Sequence, residues 1–293
     1  MQTLGDRIAI VTGASRGAGR GIAVELGAAG ATVYVTGRST RAAPAPGYEG
    51  FLHHGGLAAM PGTIDDTADE ITAAGGRAIA VRCDHGDPAQ VRELFARVER
   101  DHGRLDLLVN NAWGGHESFT PASLSAPFWD QPLDHWQSMF DHGVRNHVIA
   151  CQLAAPLPDQ QRRGLIVTTT FWDRDRYLKG NLFYDLAKAA MNRLAFGVAE
   201  ELRPYGVTSL AVAPGWMRTE LVLAGHQADE RTWTERPALA RTESPRYLGR
   251  AVVALAADPD VHARTGTVQR VGELARAYGF TDVDGRVIPP FEI

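Results

Sequence analysis

Residues 7–29 read RIAIVTGASRGAGRGIAVELGAA and combine a strand pattern, a glycine-rich turn and a helix pattern. The apolar run over 7–12 predicts a β-strand, and apolar residues at helical spacing after residue 20 predict a helix. Gly13, Gly17 and Gly19 lie between them. Glycine lets the backbone approach an anion closely, and a helix N-terminus offers unpaired N–H groups and a favourable dipole. The stretch therefore predicts a phosphate-binding turn.

The rest of the chain alternates between strand and helix patterns. Apolar runs near 7–12, 32–36, 77–82, 105–110, 164–169 and 207–213 predict strands. This alternation predicts an α/β protein with a doubly wound, mostly parallel sheet and helices on both faces. We expect one domain over residues 1–293, with insertions at about 41–62 and 114–133 and a C-terminal tail at about 272–293. The apolar end of that tail is expected to dock on its own body or on a neighbouring subunit.

Tyr184 and Lys188 lie four positions apart in a predicted helix, so their side chains project from one face. A cation beside a phenol favours the phenolate and lowers the tyrosine pKa toward the range useful for acid and base catalysis. The alternative is a chance spacing on a solvated helix. The glycine-rich turn earlier in the chain favours the catalytic interpretation.

Together these motifs resemble the short-chain dehydrogenase/reductase family. Further landmarks follow in the family's order: Asp84, then Asn110-Asn-Ala112, then Pro214-Gly215 with Thr219. The resemblance covers about residues 5–272 and implies a Rossmann-type sheet of seven strands, the last near 267–271. It also implies a nicotinamide cofactor and a homodimer or homotetramer. Smaller details, such as Gly180-Asn-Leu-Phe-Tyr184, resemble the subgroup of dehydrogenase/reductase family member 1 and its actinobacterial-type relatives.

The second strand ends in Val35-Thr-Gly-Arg-Ser39, without the acidic residue that accepts hydrogen bonds from a free ribose 2′-hydroxyl. Arg38, with Arg16 in the glycine turn, would suit a 2′-phosphate, so NADP(H) is preferred over NAD(H). Alternatively, both arginines are ordinary surface residues. The predicted cofactor-binding residues are Gly13, Ser15, Arg16, Gly17, Ala18, Gly19, Arg38, Asp84, His85, Asn111, Ala112, Tyr184, Lys188, Pro214, Gly215 and Thr219.

The chain departs from the family at two catalytic positions. Phe171 stands where the resemblance implies a serine, and the neighbouring Thr170 is the hydroxyl that could polarise a substrate oxygen. Gly143 stands near the position of the family's helix asparagine. The predicted catalytic residues are therefore Tyr184, Lys188 and Thr170.

Aromatic and apolar residues indicate the substrate side. Trp113, Trp172, Trp216 and Met217 predict a largely apolar pocket, although each could simply pack loops onto the body. The resulting hypothesis is an NADP(H)-dependent oxidoreductase that interconverts a carbonyl and a secondary alcohol. Two alternatives stay open, namely a non-redox member of the family (a lyase, isomerase or cyclase) and a catalytically silent nicotinamide-binding sensor.

Composition and charge limit the classes of molecule that this protein is expected to bind. The net charge is −4, with 30 basic and 34 acidic residues dispersed, which argues against nucleic acid and anionic membranes as partners. No apolar run approaches the roughly 20 residues of a membrane span, and no export signal precedes the first strand, so we expect a cytoplasmic protein. His53 and His54 lack further ligands at metal-binding spacing, and no metal is predicted. A small-molecule substrate is the expected partner.

Overall fold

The computed structural model describes residues 3–46, 60–115, 126–155, 164–171, 176–177 and 180–292. Seven parallel strands form one sheet in the order β3-β2-β1-β4-β5-β6-β7. They are β1 Ile8–Thr12, β2 Thr32–Gly37, β3 Arg77–Arg82, β4 Leu107–Asn110, β5 Gly164–Thr169, β6 Val207–Ala213 and β7 Val268–Arg270. The predicted doubly wound Rossmann-type sheet is confirmed.

The strand order places a topological switch between β1 and β4. The chain runs outward from β1 through β2 to β3, then returns to add β4 on the other side of β1. Ligands bind at such a switch, beyond the carboxyl ends of the strands. β1 ends there at Thr12, and β4 ends at Asn110.

The fourth strand begins at Leu107, two residues later than predicted, and Asp106 lies just before it. Its carboxylate accepts a hydrogen bond from the N–H of Ile8 at 2.8 Å and forms an ion pair with Arg7 at 3.2 Å. This aspartate thereby ties the start of β1 to the segment that enters β4.

Eight α-helices flank the sheet within the described residues. They are α1 Gly17–Ala28, α2 Ile64–Ala73, α3 Pro88–His102, α4 Arg145–Ala154, α5 Leu182–Leu202, α6 Glu220–Gly225, α7 Pro245–Ala257 and α8 Val271–Tyr278. α1, α2, α7 and α8 contribute to one buried apolar cluster and α3 and α4 to a second, with the sheet between them. Since both faces are covered, every residue of β1 is buried, which explains its uninterrupted apolar run.

The C-terminal tail folds back onto its own chain. Ile288 is buried, and its backbone N–H and C=O both bond the hydroxyl of Tyr247, each at 3.1 Å. A Cβ on Gly272 would lie 2.4 Å from the nitrogen of Pro290, so the tail runs directly against the start of α8. Of the two docking sites expected for the tail, the structure shows contacts with its own body.

Parts of the two predicted insertions lie outside the described residues. These parts are residues 47–59, which include His53 and His54, and residues 116–125. Between the second insertion and α4, the segment Gln137–Val144 is a π-helix, an uncommon form often found at functional sites.

Candidate active site

Thr12 joins the glycine turn to the end of β4. Its hydroxyl donates to the carbonyl of Val109 at 3.2 Å and accepts from the N–H groups of Asn111 at 2.8 Å and Ala112 at 2.9 Å. The amide of Asn111 in turn donates to the carbonyls of Thr12 and Gly13. These bonds hold the glycine turn and the Asn110-Asn-Ala112 segment together at the switch point.

The glycines of the turn allow this close packing. A Cβ on Gly13 would lie 2.8 Å from the Cα of Ala112, and one on Gly19 would lie 2.3 Å from the carbonyl oxygen of Gly13. Gly13 and Gly17 also adopt the left-handed backbone region, with φ of 65° and 54°. Substitution at these positions would therefore displace the turn.

Arg16 connects the glycine turn to the end of β2. Its guanidinium donates to the Ser39 hydroxyl at 3.0 Å and to the carbonyls of Pro61 and Gly62 at 2.8 and 2.9 Å. Arg38 is exposed beside it. Both predicted arginines thus lie at the carboxyl end of β2, where the adenosine ribose is expected.

Asp84 and His85 follow β3 at the same edge of the sheet. A carboxylate oxygen of Asp84 accepts from the N–H of Gly86 at 2.9 Å. His85 is buried, with Nε2 2.9 Å from the Thr36 hydroxyl, and burial lowers its pKa to about 4. The ring is therefore neutral at physiological pH.

A cavity of about 610 Å³ lies along this edge and brings most of the predicted residues together. Of the predicted residues, it is lined by Gly13, Ser15, Arg16, Gly17, Ala18, Arg38, Asp84, His85, Asn111, Ala112, Trp113, Thr170, Tyr184, Lys188, Pro214, Gly215, Met217 and Thr219.

Of the predicted residues that the structure describes, Gly19 and Trp216 are not on its wall. Gly19 packs beneath the turn against Gly13. Trp216 is partly exposed, and its ring contacts His226, with the centroids 5.9 Å apart. Trp172 lies outside the described residues.

Tyr184 and Lys188 face the cavity from the first turns of α5. The Lys188 ammonium lies 5.3 Å from the centroid of the Tyr184 ring and 3.7 Å from that of Trp113. The Tyr184 ring meets Trp113 edge to face, with centroids 5.9 Å apart. The shared helix face predicted from their spacing places both groups in one apolar corner of the cavity.

Burial dominates the titration of this pair. It raises the pKa of the Tyr184 phenol above its ordinary value and lowers the pKa of Lys188 to about 7. The sequence-based expectation of a lowered tyrosine pKa is therefore wrong for the protein without ligand, because the phenolate is poorly solvated there.

His147, whose Nε2 lies 3.1 Å from the Ala112 carbonyl oxygen, is also kept neutral, because burial lowers its pKa to about 3.

Trp113 fills the space beside Gly143, where the family resemblance implies an asparagine. A Cβ on Gly143 would lie 2.7 Å from the Trp113 ring. Gly143 lies in the π-helical segment, and the carbonyl of the preceding His142 accepts from the N–H of Gly114 at 2.9 Å. The Trp113 ring thus uses the space that Gly143 leaves and packs against Lys188.

Thr170 and Phe171 follow β5. The buried Thr170 hydroxyl donates to the carbonyl of Lys188 at 3.2 Å and to that of Phe171 at 3.3 Å. The Phe171 ring contacts two others, with its centroid 6.0 Å from that of Tyr184 and 6.1 Å from that of Phe291. The expected serine position thus presents an aromatic ring beside the tyrosine.

Three residues of this region were not singled out from the sequence. Glu220, at the start of α6, lines the cavity and accepts a hydrogen bond from the N–H of Gly17 at 2.8 Å. Phe291 reaches Phe171 from the tail. Glu243 is buried behind Gly215, and burial raises its pKa to about 8. For Phe291 the apolar end of the chain was a signal, whereas no local pattern marks the two glutamates.

Comparison with known proteins places this site in a family. A family model described as enoyl-(acyl carrier protein) reductase matches residues 56–271. Dehydrogenase/reductase SDR family member 1 from Mus musculus is 36% identical over 97% of this chain and 86% of its own length. The chain belongs to the short-chain dehydrogenase/reductase (SDR) family. A 3-oxoacyl-[acyl-carrier-protein] reductase from Synechocystis is 29% identical to this SDR over 91% of the chain and 95% of the relative.

Solved structures agree with this assignment. A short chain dehydrogenase from Mycobacterium thermoresistibile superposes with a TM-score of 0.77 at 26% identity, covering 98% of this SDR and 92% of that chain. A hydroxysteroid dehydrogenase from Escherichia coli superposes with a TM-score of 0.70 at 25% identity, covering 92% of this SDR and 98% of that chain. The relatives are SDR oxidoreductases, which supports an enzyme that uses a nicotinamide cofactor.

The residues present fit such a cofactor. In the glycine turn the N–H of Gly17 already binds the Glu220 carboxylate, so the turn accommodates an anion, and it leaves no room for a Cβ at Gly13. Among the described residues, no group of three or more His, Cys, Asp or Glu side chains could hold a metal ion. Within the same ranges, no helix has both the length and the apolar character needed to span a membrane.

Proposed function

We propose that this SDR interconverts a carbonyl and a secondary alcohol with NADP(H), on a small and largely apolar substrate. The observation that carries this function is the placement of Tyr184 and Lys188 on the wall of the cavity that also contains the glycine turn. A phenol and an ammonium at the reacting end, with an anion-binding turn at the other end, are what a dinucleotide-dependent reductase needs.

Tyr184 is the proton donor to the carbonyl oxygen during reduction and the acceptor during oxidation. The nicotinamide, when bound, supplies or accepts the hydride. Lys188 would bind the nicotinamide ribose, and in its protonated form its charge favours the phenolate of Tyr184. The tyrosine pKa would then fall from the high value that burial imposes on it.

Thr170 is the candidate donor that polarises the substrate oxygen. Its hydroxyl lies on the cavity wall but bonds the Lys188 carbonyl, so it would have to exchange that bond for one to the substrate. A donor held in place for a developing negative charge lowers the barrier more than one that must rotate. We therefore expect Tyr184 to contribute more than Thr170 to the rate of the reaction.

The preference for NADP(H) rests on the end of β2. Arg16 and Arg38 line the cavity there together with Ser39, and the second strand carries no acidic side chain at its end. A guanidinium binds the oxygens of a 2′-phosphate through paired donors, whereas a carboxylate would favour the free hydroxyl.

The substrate preference rests on the rings around Tyr184. Trp113 and Phe171 flank the tyrosine, and Met217 lines the cavity from the segment after β6. Such a lining favours a ketone or secondary alcohol with apolar substituents. A homodimer or homotetramer in the cytoplasm stays a prediction.

A non-redox SDR reaction is the second candidate, and the two altered positions favour it. Phe171 offers no hydroxyl at the serine position, and Trp113 fills the space at Gly143 where an asparagine is expected. A lyase, isomerase or cyclase reaction can use proton transfer by Tyr184 without the serine and asparagine that the family resemblance implies.

The test is the change in nicotinamide absorbance with NADPH and with NADH, over a panel of ketones, aldehydes and secondary alcohols. We expect oxidation of NADPH in preference to NADH and a loss of most turnover in Tyr184→Phe, with NADPH binding retained. Tyr205→Phe, at an exposed tyrosine, is the matched control. Undiminished turnover in Tyr184→Phe contradicts the mechanism, and product formation without net absorbance change favours the non-redox reaction.

A further inference from the structure

The carboxylate of Glu220 occupies the anion-binding end of α1. Its Oε2 accepts from the N–H of Gly17 at 2.8 Å, and its Oε1 lies 3.4 Å from Nη1 of Arg20. Gly17 is the first residue of the 12-residue helix α1, and no side-chain cap bond is made by the preceding Arg16. An acidic group is stabilised at this end of a helix by the unpaired N–H groups and the dipole.

With the proposed cofactor bound, this N–H would be one of the donors that the glycine turn offers to the pyrophosphate. One N–H cannot donate a full hydrogen bond to both the Glu220 carboxylate and a phosphate oxygen. In addition, the two anions would repel each other across a partly buried cavity, where screening by water is weak. Glu220 and the pyrophosphate therefore exclude each other from this position.

We propose that Glu220 is an internal competitor of the cofactor, holding the pyrophosphate position in the free protein and leaving it when the dinucleotide binds. This inference rests on the proposed nicotinamide cofactor. The side chain of Glu220 is 24% exposed, so a rotation brings the carboxylate to solvent. Arg20 stays paired after this release, because it also binds Glu70 at 2.7 Å.

The exchange couples the cofactor to the segment after β6. Glu220 opens α6, and the preceding Thr219 caps that helix by accepting from the N–H of Val222 at 3.4 Å. Thr219 also packs against the turn, since its methyl group lies 3.5 Å from a Cβ built on Gly17. When Glu220 leaves the N-terminus of α1, the start of α6 loses this hydrogen bond to the glycine turn and keeps the Thr219 contact.

The test is the dissociation constant of NADPH, measured by calorimetry, for the wild type, Glu220→Gln and Glu220→Ala. We expect Glu220→Ala to bind NADPH about tenfold more tightly, because it removes a charge-assisted hydrogen bond that the cofactor must otherwise displace. Glu220→Gln keeps an acceptor without the charge, so a smaller gain is expected. Glu235→Ala removes an exposed charge on the neighbouring segment and should leave the constant unchanged.

Adenosine 2′-monophosphate is the second probe, because it lacks the pyrophosphate. Its affinity should be the same in all four proteins, and an equal gain with this probe would overturn the inference in favour of a general charge effect. Unchanged or weaker NADPH binding in Glu220→Ala, with wild-type binding intact, overturns the inference alone. Absence of binding to both NADPH and NADH in all four proteins overturns the proposed cofactor as well.

Discussion

The Lys188 ammonium lies over the face of the Trp113 ring, 3.7 Å from its centroid, in a corner of the cavity that contains Tyr184. The ring reaches this position because Gly143 has no side chain; a Cβ there would lie 2.7 Å from the indole. A tryptophan face attracts a cation and thereby favours the charged form of a lysine whose pKa burial lowers to about 7. In the proposed mechanism, Trp113 would act on the tyrosine through the lysine, as a positioning residue.

Removal of this ring face should change the pH dependence of the enzyme. A cation–π contact of about 1 kcal/mol corresponds to somewhat under one pKa unit. In Trp113→Leu we expect the lysine-controlled limb of kcat/KM for the cofactor, above which activity falls, to move to lower pH by about half a unit or more. Trp113→Phe keeps a π face and should shift the limb less. Identical pH profiles for Trp113→Leu and the wild type would rule out this role.

The serine position can be tested by restoring a hydroxyl. If the Thr170 hydroxyl stays on the Lys188 carbonyl, 3.2 Å away, the carbonyl of a substrate lacks a second donor. Phe171→Ser should then raise kcat several-fold, and Phe171→Ala should not, since it removes the ring without adding a donor. Thr170→Val tests the alternative, in which the Thr170 hydroxyl leaves the Lys188 carbonyl and donates to the substrate oxygen. A loss of about a hundredfold or more in Thr170→Val, with no gain in Phe171→Ser, would make Thr170 the polarising residue.

The C-terminal tail should influence the size of substrate accepted. The Phe291 ring packs against the Phe171 ring, with centroids 6.1 Å apart, and the Arg270 guanidinium donates to the Phe291 carbonyl. In Phe291→Ala the Phe171 ring gains room to move, so kcat/KM should rise several-fold for bulky ketones relative to small ones. Val287→Ala alters an exposed tail residue and serves as the control. An unchanged order of ketones in Phe291→Ala would show that the tail has no part in selectivity.

Glu243 should make the protein less stable as the pH rises. Burial raises its pKa to about 8 in the folded state, with the nearby Asp282 adding to the increase and the N–H of Gly215 opposing it. The unfolded chain loses this proton near pH 4.3. Between these two values the folded state binds more protons than the unfolded state, so the free energy of unfolding falls with increasing pH.

Glu243→Gln cannot ionise and isolates this effect. The difference in Tm between Glu243→Gln and the wild type should grow by several degrees in favour of the variant from pH 5 to pH 8, as followed by thermal unfolding. Glu235→Gln, at an exposed position, should show no such trend. A difference that is constant across this pH range would mean that Glu243 ionises at its ordinary pKa in the folded protein.

Much of the fold was predictable because it depends on residues near one another in the chain. The apolar run before Gly13 forms β1, and the short run near 267–271 forms β7 over Val268–Arg270. The four-residue spacing of Tyr184 and Lys188 placed them on one helix face, as α5 confirms. The family motifs predicted which residues face the cofactor, and most of those that the structure describes line one cavity at the carboxyl ends of the strands.

The local patterns of the chain thus determined the sheet, the glycine turn and the shared helix face of Tyr184 and Lys188, since periodicity and short spacings encode them. Tertiary structure alone decided three further features. Trp113 lies over Lys188, Glu220 meets the N–H of Gly17 across 203 positions of sequence, and Phe291 returns to Phe171. Burial also decided the direction of the tyrosine and lysine pKa values. Contacts between distant residues, and the solvation lost there, depend on how helices and tail pack around the sheet, which no local pattern records.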